Sequence, residues 1–456
     1  MAYKTRIRPI LPILLSMLLL AVSQTTHALD DHAPGKQILT ALNHHVEPFS
    51  SIESANLDRL LDRIGDARVV LLGESTHGTE EFYRMRARIS KALIENKGFD
   101  IIALEADWPD VTSIEHYIQS DPGPALYRQK PFSSFQSWMW RNRPFIGFTE
   151  WLRAVNRQRA GSDRIHIYGI DLYNMQGSMR LVLDYLQSID AQAADLALQA
   201  YRCLIPMVTE PGRYGHYAST GRHPVCQREV GAVYHLLVDG AEAWRAKDED
   251  RYFHALSNAL LVVRDEHFFR RKYSSDADAD RDSWNYREQN MLDNIRQILS
   301  HHGSDSRIIV WAHNTHIGDS GATVMANDNR HSLGQRVREA FPGQSYLIGF
   351  GTNSGTVTAS PDWNQPAQTM QVPASHEDSF GHLLHLADAD NFMLPLGDIE
   401  HEQLDGLLNE IRGQRAIGVT YDPQNEVEKH YLNVRLAQQF DEFIWFDTTT
   451  ALVKEP

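Results

Sequence analysis

The sequence specifies an α/β protein with a mainly parallel sheet flanked by helices and a helical insertion beside a cleft. Three observations carry that reading. Short apolar runs alternate with helix-length segments in both halves of the chain. The first runs are apolar throughout, as strands covered on both faces require. Between residues 175 and 300 only helical patterning is found.

In order, a helix from about Asn56 to Ile64 leads into a strand from Arg68 to Gly73. A long helix, Glu80 to Asn96, precedes a second strand from Asp100 to Glu105, which breaks at Asp107-Trp108-Pro109. A helical stretch from Phe132 to Arg159 leads to a third strand, Arg164 to Ile170. The insertion offers helices at Arg180 to Leu204, Glu229 to Lys247, Arg251 to Lys272 and Ser283 to Ser300. The sheet then resumes with Arg307 to Ala312 and Ser345 to Gly351. Shorter strands follow at Gly355 to Ser360, Phe392 to Pro395, Arg415 to Thr420 and Phe443 to Asp447.

Bulk properties narrow the function classes. At 456 residues and 42% hydrophobic content, the chain can build one large α/β domain with an insertion. A formal charge of -15 argues against nucleic acid or an anionic membrane as partner, since phosphate binding needs a basic surface.

Residues 1–28 read as a secretory signal. Lys4, Arg6 and Arg8 precede the apolar run Ile10 to Val22, and Thr26-His27-Ala28 supplies small residues for cleavage. The mature domain is then 29–456, exported to the periplasm or secreted; an uncleaved anchor is the alternative. No other segment is long and apolar enough to cross a bilayer. Export permits a disulfide between Cys203 and Cys226, closing a Pro/Gly-rich segment and stabilising by roughly 3 kcal/mol on the chain-entropy model. The other reading is two buried thiols. The acidic run from Ser274 to Asp282 lacks the glycine and closing glutamate of a calcium loop, so it reads as a solvated loop.

The chemistry gathers at strand ends, where open sheets bind ligands. The first strand ends in Gly73-Glu74-Ser75-Thr76-His77-Gly78 and the second in Glu105 and Asp107. The third ends in Tyr168-Gly169-Ile170-Asp171, and the fourth in Trp311-Ala312-His313-Asn314-Thr315-His316. Packing does not need carboxylates and histidines at equivalent ends, so a shared site is expected.

These segments, with Leu104-Glu105-Ala106-Asp107-Trp108, Trp138-Met139-Trp140-Arg141-Asn142, Trp284-Asn285-Tyr286-Arg287 and Gly349-Phe350-Gly351, resemble the erythromycin esterase family. They run in family order from about residue 50 to 450. The resemblance implies an α/β core, a helical region over a deep cleft, and cleavage by water of an ester such as a macrolide lactone. It makes His77 the general base, with Glu74, Arg86, Glu105, His313 and His316 at other catalytic positions. Arg287, Asp107 and Tyr168 are assigned to substrate binding in the same cleft.

The residue types suit that reaction. Neutral water is a poor nucleophile, and an imidazole that removes its proton contributes about a hundred- to ten-thousand-fold. Glu74 can hold the other ring nitrogen and stabilise the imidazolium. Arg86 and His313 or His316 can donate to the developing oxyanion, while Glu105 can orient a cation or the water.

Blander readings stand beside each role. Glu74 can simply accept backbone N–H groups at a helix start, and Arg84, Arg86 and Arg88 can form a solvated face. His316 can be structural, and Asp171 and Tyr173 read as capping and packing residues. No Gly-x-Ser-x-Gly elbow is present, which removes support for a serine hydrolase.

Two rival functions remain. A zinc or manganese ion held by His77, His313 and His316 could generate hydroxide; activity after treatment with chelator separates that from metal-free catalysis. No cofactor is otherwise expected. A binding protein that kept the cleft without catalysis would retain affinity after His77→Ala and hydrolyse nothing. The expected partner is a small-molecule ester or lactone.

Overall fold

A computed structural model describes residues 33–119, 132, 137–363, 365–397 and 399–454. The signal-peptide expectation for residues 1–28 lies outside them.

Eleven strands are present among the described residues. They are β1 (Glu47–Pro48), β2 (Val69–Leu72), β3 (Ile101–Asp107), β4 (His166–Asp171), β5 (Ile308–Trp311) and β6 (Ser345–Ala359). The rest are β7 (Gln368–Val372), β8 (Asn391–Pro395), β9 (Arg412–Arg415), β10 (Tyr431–Val434) and β11 (Glu442–Thr449). One sheet runs in the order β1-β8-β11-β6-β2-β5-β3-β4, with β7 added to β6, while β9 and β10 form a separate pair. The contacts β11–β6, β6–β2, β2–β5, β5–β3 and β3–β4 are all parallel. Only β1–β8, β8–β11 and β6–β7 are antiparallel in this sheet.

The alternation of side chains along each strand feeds two cores. Val69, Leu71, Ile101, Ala103, Ile308 and Val310 face one layer, which includes the helices of the insertion. Val70, Leu72, Ile102, Leu104, Ile309 and Trp311 face the other, with Phe82, Ile89, Phe145 and Phe148. Both faces are therefore dry, which is why these strands are apolar at every position.

Several boundaries differ from the sequence reading. Among the described residues, the stretch from Phe132 to Arg159 contains two helices, Ser137–Trp140 and Arg143–Asn156, separated at Asn142, whose side chain caps the second by accepting from Phe145 N–H. Asp190 similarly divides the Arg180 to Leu204 segment into Met175–Ile189 and Ala191–Tyr201, accepting from Ala193 N–H. The two strands expected at 345–351 and 355–360 are one long strand. The strand expected at 415–420 is instead β9, which ends at Arg415.

Cys203 and Cys226 are bonded, with Cα atoms 5.7 Å apart. The segment they close is not structureless, because it contains the helix Pro211–Ser219. The acidic run is only partly a loop. Asp280 and Asp282 lie in the first turn of the helix Ala279–His302, where carboxylates favour the helix dipole, and Asp282 pairs with Arg271 and Arg281. No helix of the described residues is long and apolar enough to cross a membrane.

Candidate active site

Strand β2 lies between β5 and β6, so the chain passes to either side of it. Such a switch point opens a crevice at the carboxyl ends of the strands. The segment after β2 is tied into that crevice through its backbone. Ile417 N–H donates to Ser75 O at 2.8 Å, and Leu452 and Thr358 N–H both donate to Gly78 O, at 2.8 and 3.0 Å. Gly78 must be glycine here, because a Cβ would run into the Thr358 backbone. Asn314 pins the neighbouring end of β5: its side chain donates to Phe350 O at 2.7 Å, and its own N–H donates to Glu74 O at 2.8 Å.

Within this frame Glu74 and His77 meet. Glu74 Oε1 is 2.8 Å from His77 Nδ1, and both side chains are buried, His77 at 6% exposure. Arg86 reaches Glu74 from behind, with Nη2 2.6 Å from Oε2. That approach is off the hydrogen-bonding line, so it is a charge contact. The Arg86 guanidinium also lies over the rings of Tyr83 and Trp311, at 4.2 and 4.8 Å. Arg86 has no exposed surface, which rules out the solvated-face reading and keeps it from touching a ligand in this conformation.

The His313 ring lies beside that of His77, with centroids 4.8 Å apart. Its Nδ1 caps the short helix Asn314–Ile317 by accepting from Thr315 N–H at 3.2 Å. Burial and the neighbouring His77 hold His313 well below the ordinary histidine range, so the ring is neutral with its proton on Nε2. The Ser75 backbone lies by the ring, but Nε2 makes no well-aligned hydrogen bond among the described residues.

Glu105 sits at a bulge. Leu104 pairs with Gly169 and Asp107 with Asp171, so two residues of β3 face one of β4. A Cβ on Gly169 would come within 2.5 Å of Ala106 O, so the glycine permits the bulge. Glu105 Oε2 accepts from His313 N–H at 2.8 Å, and Oε1 accepts from Arg287 Nη2 at 2.9 Å and lies 3.1 Å from His316 Nε2. Burial alone would raise Glu105; the charges of His316 and Arg287 overturn this and hold it well below the usual carboxylate range.

Arg287 and His316 complete the network. Arg287 donates from Nε and Nη2 to the two oxygens of Asp171, at 2.8 and 2.5 Å. Asp171 is therefore the anchor of Arg287 rather than a cap. Burial would lower His316, but the carboxylates of Glu105 and Glu288 raise it to about 9. Its Nδ1 is 2.7 Å from Glu288 Oε1, and Trp284 stacks on the ring at 4.8 Å.

Glu288 is the residue that the sequence reading missed. It immediately follows the Trp284-Asn285-Tyr286-Arg287 motif, and helical spacing places Trp284, Arg287 and Glu288 on one face. That spacing was the available signal.

Tyr168 is not part of the cluster. Strand alternation turns it with Ile170 into the core under the insertion, where it packs on Trp108 and its hydroxyl lies 2.8 Å from His302 Nε2. Asp107 stands at the end of β3, partly exposed, beside Asp171. Among the described residues, no three His, Cys, Asp or Glu side chains are arranged to hold a metal ion.

A parallel sheet with a histidine–carboxylate cluster at its switch point defines a class, the α/β proteins that act on small molecules in a strand-end crevice. The chain belongs to the erythromycin esterase family, whose model matches residues 94–449. The Glu74–His77 segment precedes the matched residues. YbfO of Bacillus subtilis strain 168, provisionally named a hydrolase, is 21% identical over 434 residues, covering 90% of this chain and 91% of that protein. Erythromycin esterase type II of Escherichia coli is 22% identical over 356 residues, covering 72% of this chain and 77% of that protein.

Solved structures share the fold. One titled a succinoglycan biosynthesis protein has a TM-score of 0.76 at 22% identity, covering 92% of this chain and 98% of that one. An erythromycin esterase mutant, EreC, in its open conformation has a TM-score of 0.64 at 15% identity, covering 90% and 98%. Family membership points to hydrolase chemistry on a small molecule.

Proposed function

We propose that this protein hydrolyses an ester or lactone with water activated by His77. The Glu74–His77 contact is the observation that carries the proposal. Glu74 occupies Nδ1 and leaves Nε2 to take the proton of water as it attacks the carbonyl. Glu74 then stabilises the imidazolium, and Arg86 behind it holds Glu74 in place.

The oxyanion donor is His313. Its neutral ring keeps a proton on Nε2 beside His77, where the tetrahedral intermediate forms. His316 is a poorer candidate because both ring nitrogens are committed to carboxylates, Nδ1 to Glu288 and Nε2 to Glu105. Glu105 positions His313 through its backbone N–H. Each of these groups acts without a metal, and turnover after exhaustive chelation tests that point.

Macrolide lactones are the substrate class we favour, because the E. coli relative is named for erythromycin. The basic and apolar start of the chain supports export, so hydrolysis would occur in the periplasm or outside the cell. The test is a panel of macrolides and simple esters with mass detection of one added water. His77→Gln should abolish the product while leaving the melting temperature near that of wild type. Full turnover by this variant overturns the assignment of the base.

A further inference from the structure

We propose that Asp107 and Asp265 form a subsite for a protonated amine carried by the ligand, where the helical insertion meets the end of β4. The proposal rests on the hydrolase reading only in taking that ligand to be the substrate.

Asp107 is the last residue of β3, and its partner across the ladder in β4 is Asp171. Like charges placed opposite each other on neighbouring strands repel. Arg287 neutralises Asp171 by donating to both its oxygens. Nothing does the same for Asp107, whose Oδ1 is buried with no hydrogen-bond partner among the described residues.

A second such group comes from the insertion. Asp265 lies on the helix Glu249–Lys272, is 1% exposed, and its Oδ1 also has no partner among the described residues. Asp265, Phe268 and Phe269 are three and four residues apart and share a helix face. Phe268 and Phe269 meet the ring of Tyr173, just beyond β4, with centroids 5.4 and 6.2 Å away. That contact directs Asp265 to the end of β4 and hence to Asp107.

The local charge is unbalanced. Burial raises both carboxyls; Asp110, Asp171 and Asp265 raise Asp107 further while Arg287 opposes them, and Asp171 raises Asp265. Arg287 is already shared between Asp171 and Glu105. A buried carboxyl without a donor is costly. An ammonium group with at least one N–H supplies the missing donor and a counter-charge, so that the carboxyls can ionise and release their protons to water. Asp107 and Tyr173 are partly exposed, Tyr173 at 39%, and mark the side from which a ligand would approach; Arg287 already lies over the Tyr173 ring at 5.3 Å, so the recognition falls to the two carboxyls.

Calorimetric titration of the full chain with trimethylammonium chloride, and separately with tert-butanol as a neutral mimic of its shape, tests this. Saturable trimethylammonium binding in the roughly millimolar range is expected, given the small size of the probe, with no binding of tert-butanol. Asp265→Asn and Asp107→Asn should each weaken it at least about tenfold, the loss of one paired charge, with melting curves confirming that both remain folded. Absence of binding, equal binding of tert-butanol, or unchanged binding in both variants overturns the proposal. No ester is cleaved in this experiment, so its failure is distinct from failure of the hydrolase reading.

Discussion

Replacing Glu288 by Gln tests the buried network most directly. In the folded protein His316 is raised from 6.5 to about 9. At about 1.36 kcal/mol per pKa unit, that favours the folded state by roughly 3 kcal/mol. Because the folded value is the higher one, this stabilisation is complete below pH 6.5 and is lost as pH rises through about 9. Two carboxylates share the effect, and removing one charge should take away about half, on the order of 1–2 kcal/mol near pH 7. Glu288 also accepts from Leu333 N–H through Oε2, at 2.8 Å. A Gln amide has one oxygen for these two donors, and the mismatch costs about 1–3 kcal/mol at any pH. Glu288→Gln should therefore cost roughly 2–5 kcal/mol at pH 7, and less above about pH 10. Denaturation midpoints of wild type and variant from pH 6 to 10, with the His316 ring followed by NMR, measure both parts. A stability difference that stays constant over this range, or an unchanged His316 titration, would refute the reasoning.

Three further outcomes follow from the same geometry. Arg86→Met should destabilise by about 3–5 kcal/mol, since it leaves Glu74 buried without its counter-ion; a melting temperature near that of wild type would contradict the pairing. Gly78→Ala should displace the His77 loop, because the new methyl meets the Thr358 backbone, and a crystal structure with the loop unmoved would be the contrary result. Replacing both Cys203 and Cys226 by Ser should lower stability by roughly 3 kcal/mol, read as faster proteolysis within the insertion. Unchanged proteolysis would show that the bridge does not limit opening there.

The sequence alone determined which segments could end in chemistry. Apolar runs at Val69–Leu72 and Ile308–Trp311 reveal dry strands because no position needs to face water. Polar residues directly after such runs mark the strand ends, which made Glu74, His77, Glu105 and His313 legible. The helix Glu80–Asn96 was also readable to the residue, from its amphipathic period and the Lys97-Gly98 stop.

Only the tertiary structure decided the pairing and the roles. Helical spacing put Arg86 in a basic cluster with Arg84 and Arg88, yet it is the one wholly buried beside Glu74. Tyr168 and Asp171 are three residues apart, but one enters the core beneath the insertion and the other anchors Arg287. Glu288 gains its role only because the helix leans its Trp284–Arg287–Glu288 face on His316. The physical reason is common to all three. Burial periodicity is local and is written in neighbouring residues, whereas the partner of a charge comes from whichever element the fold brings within hydrogen-bonding distance.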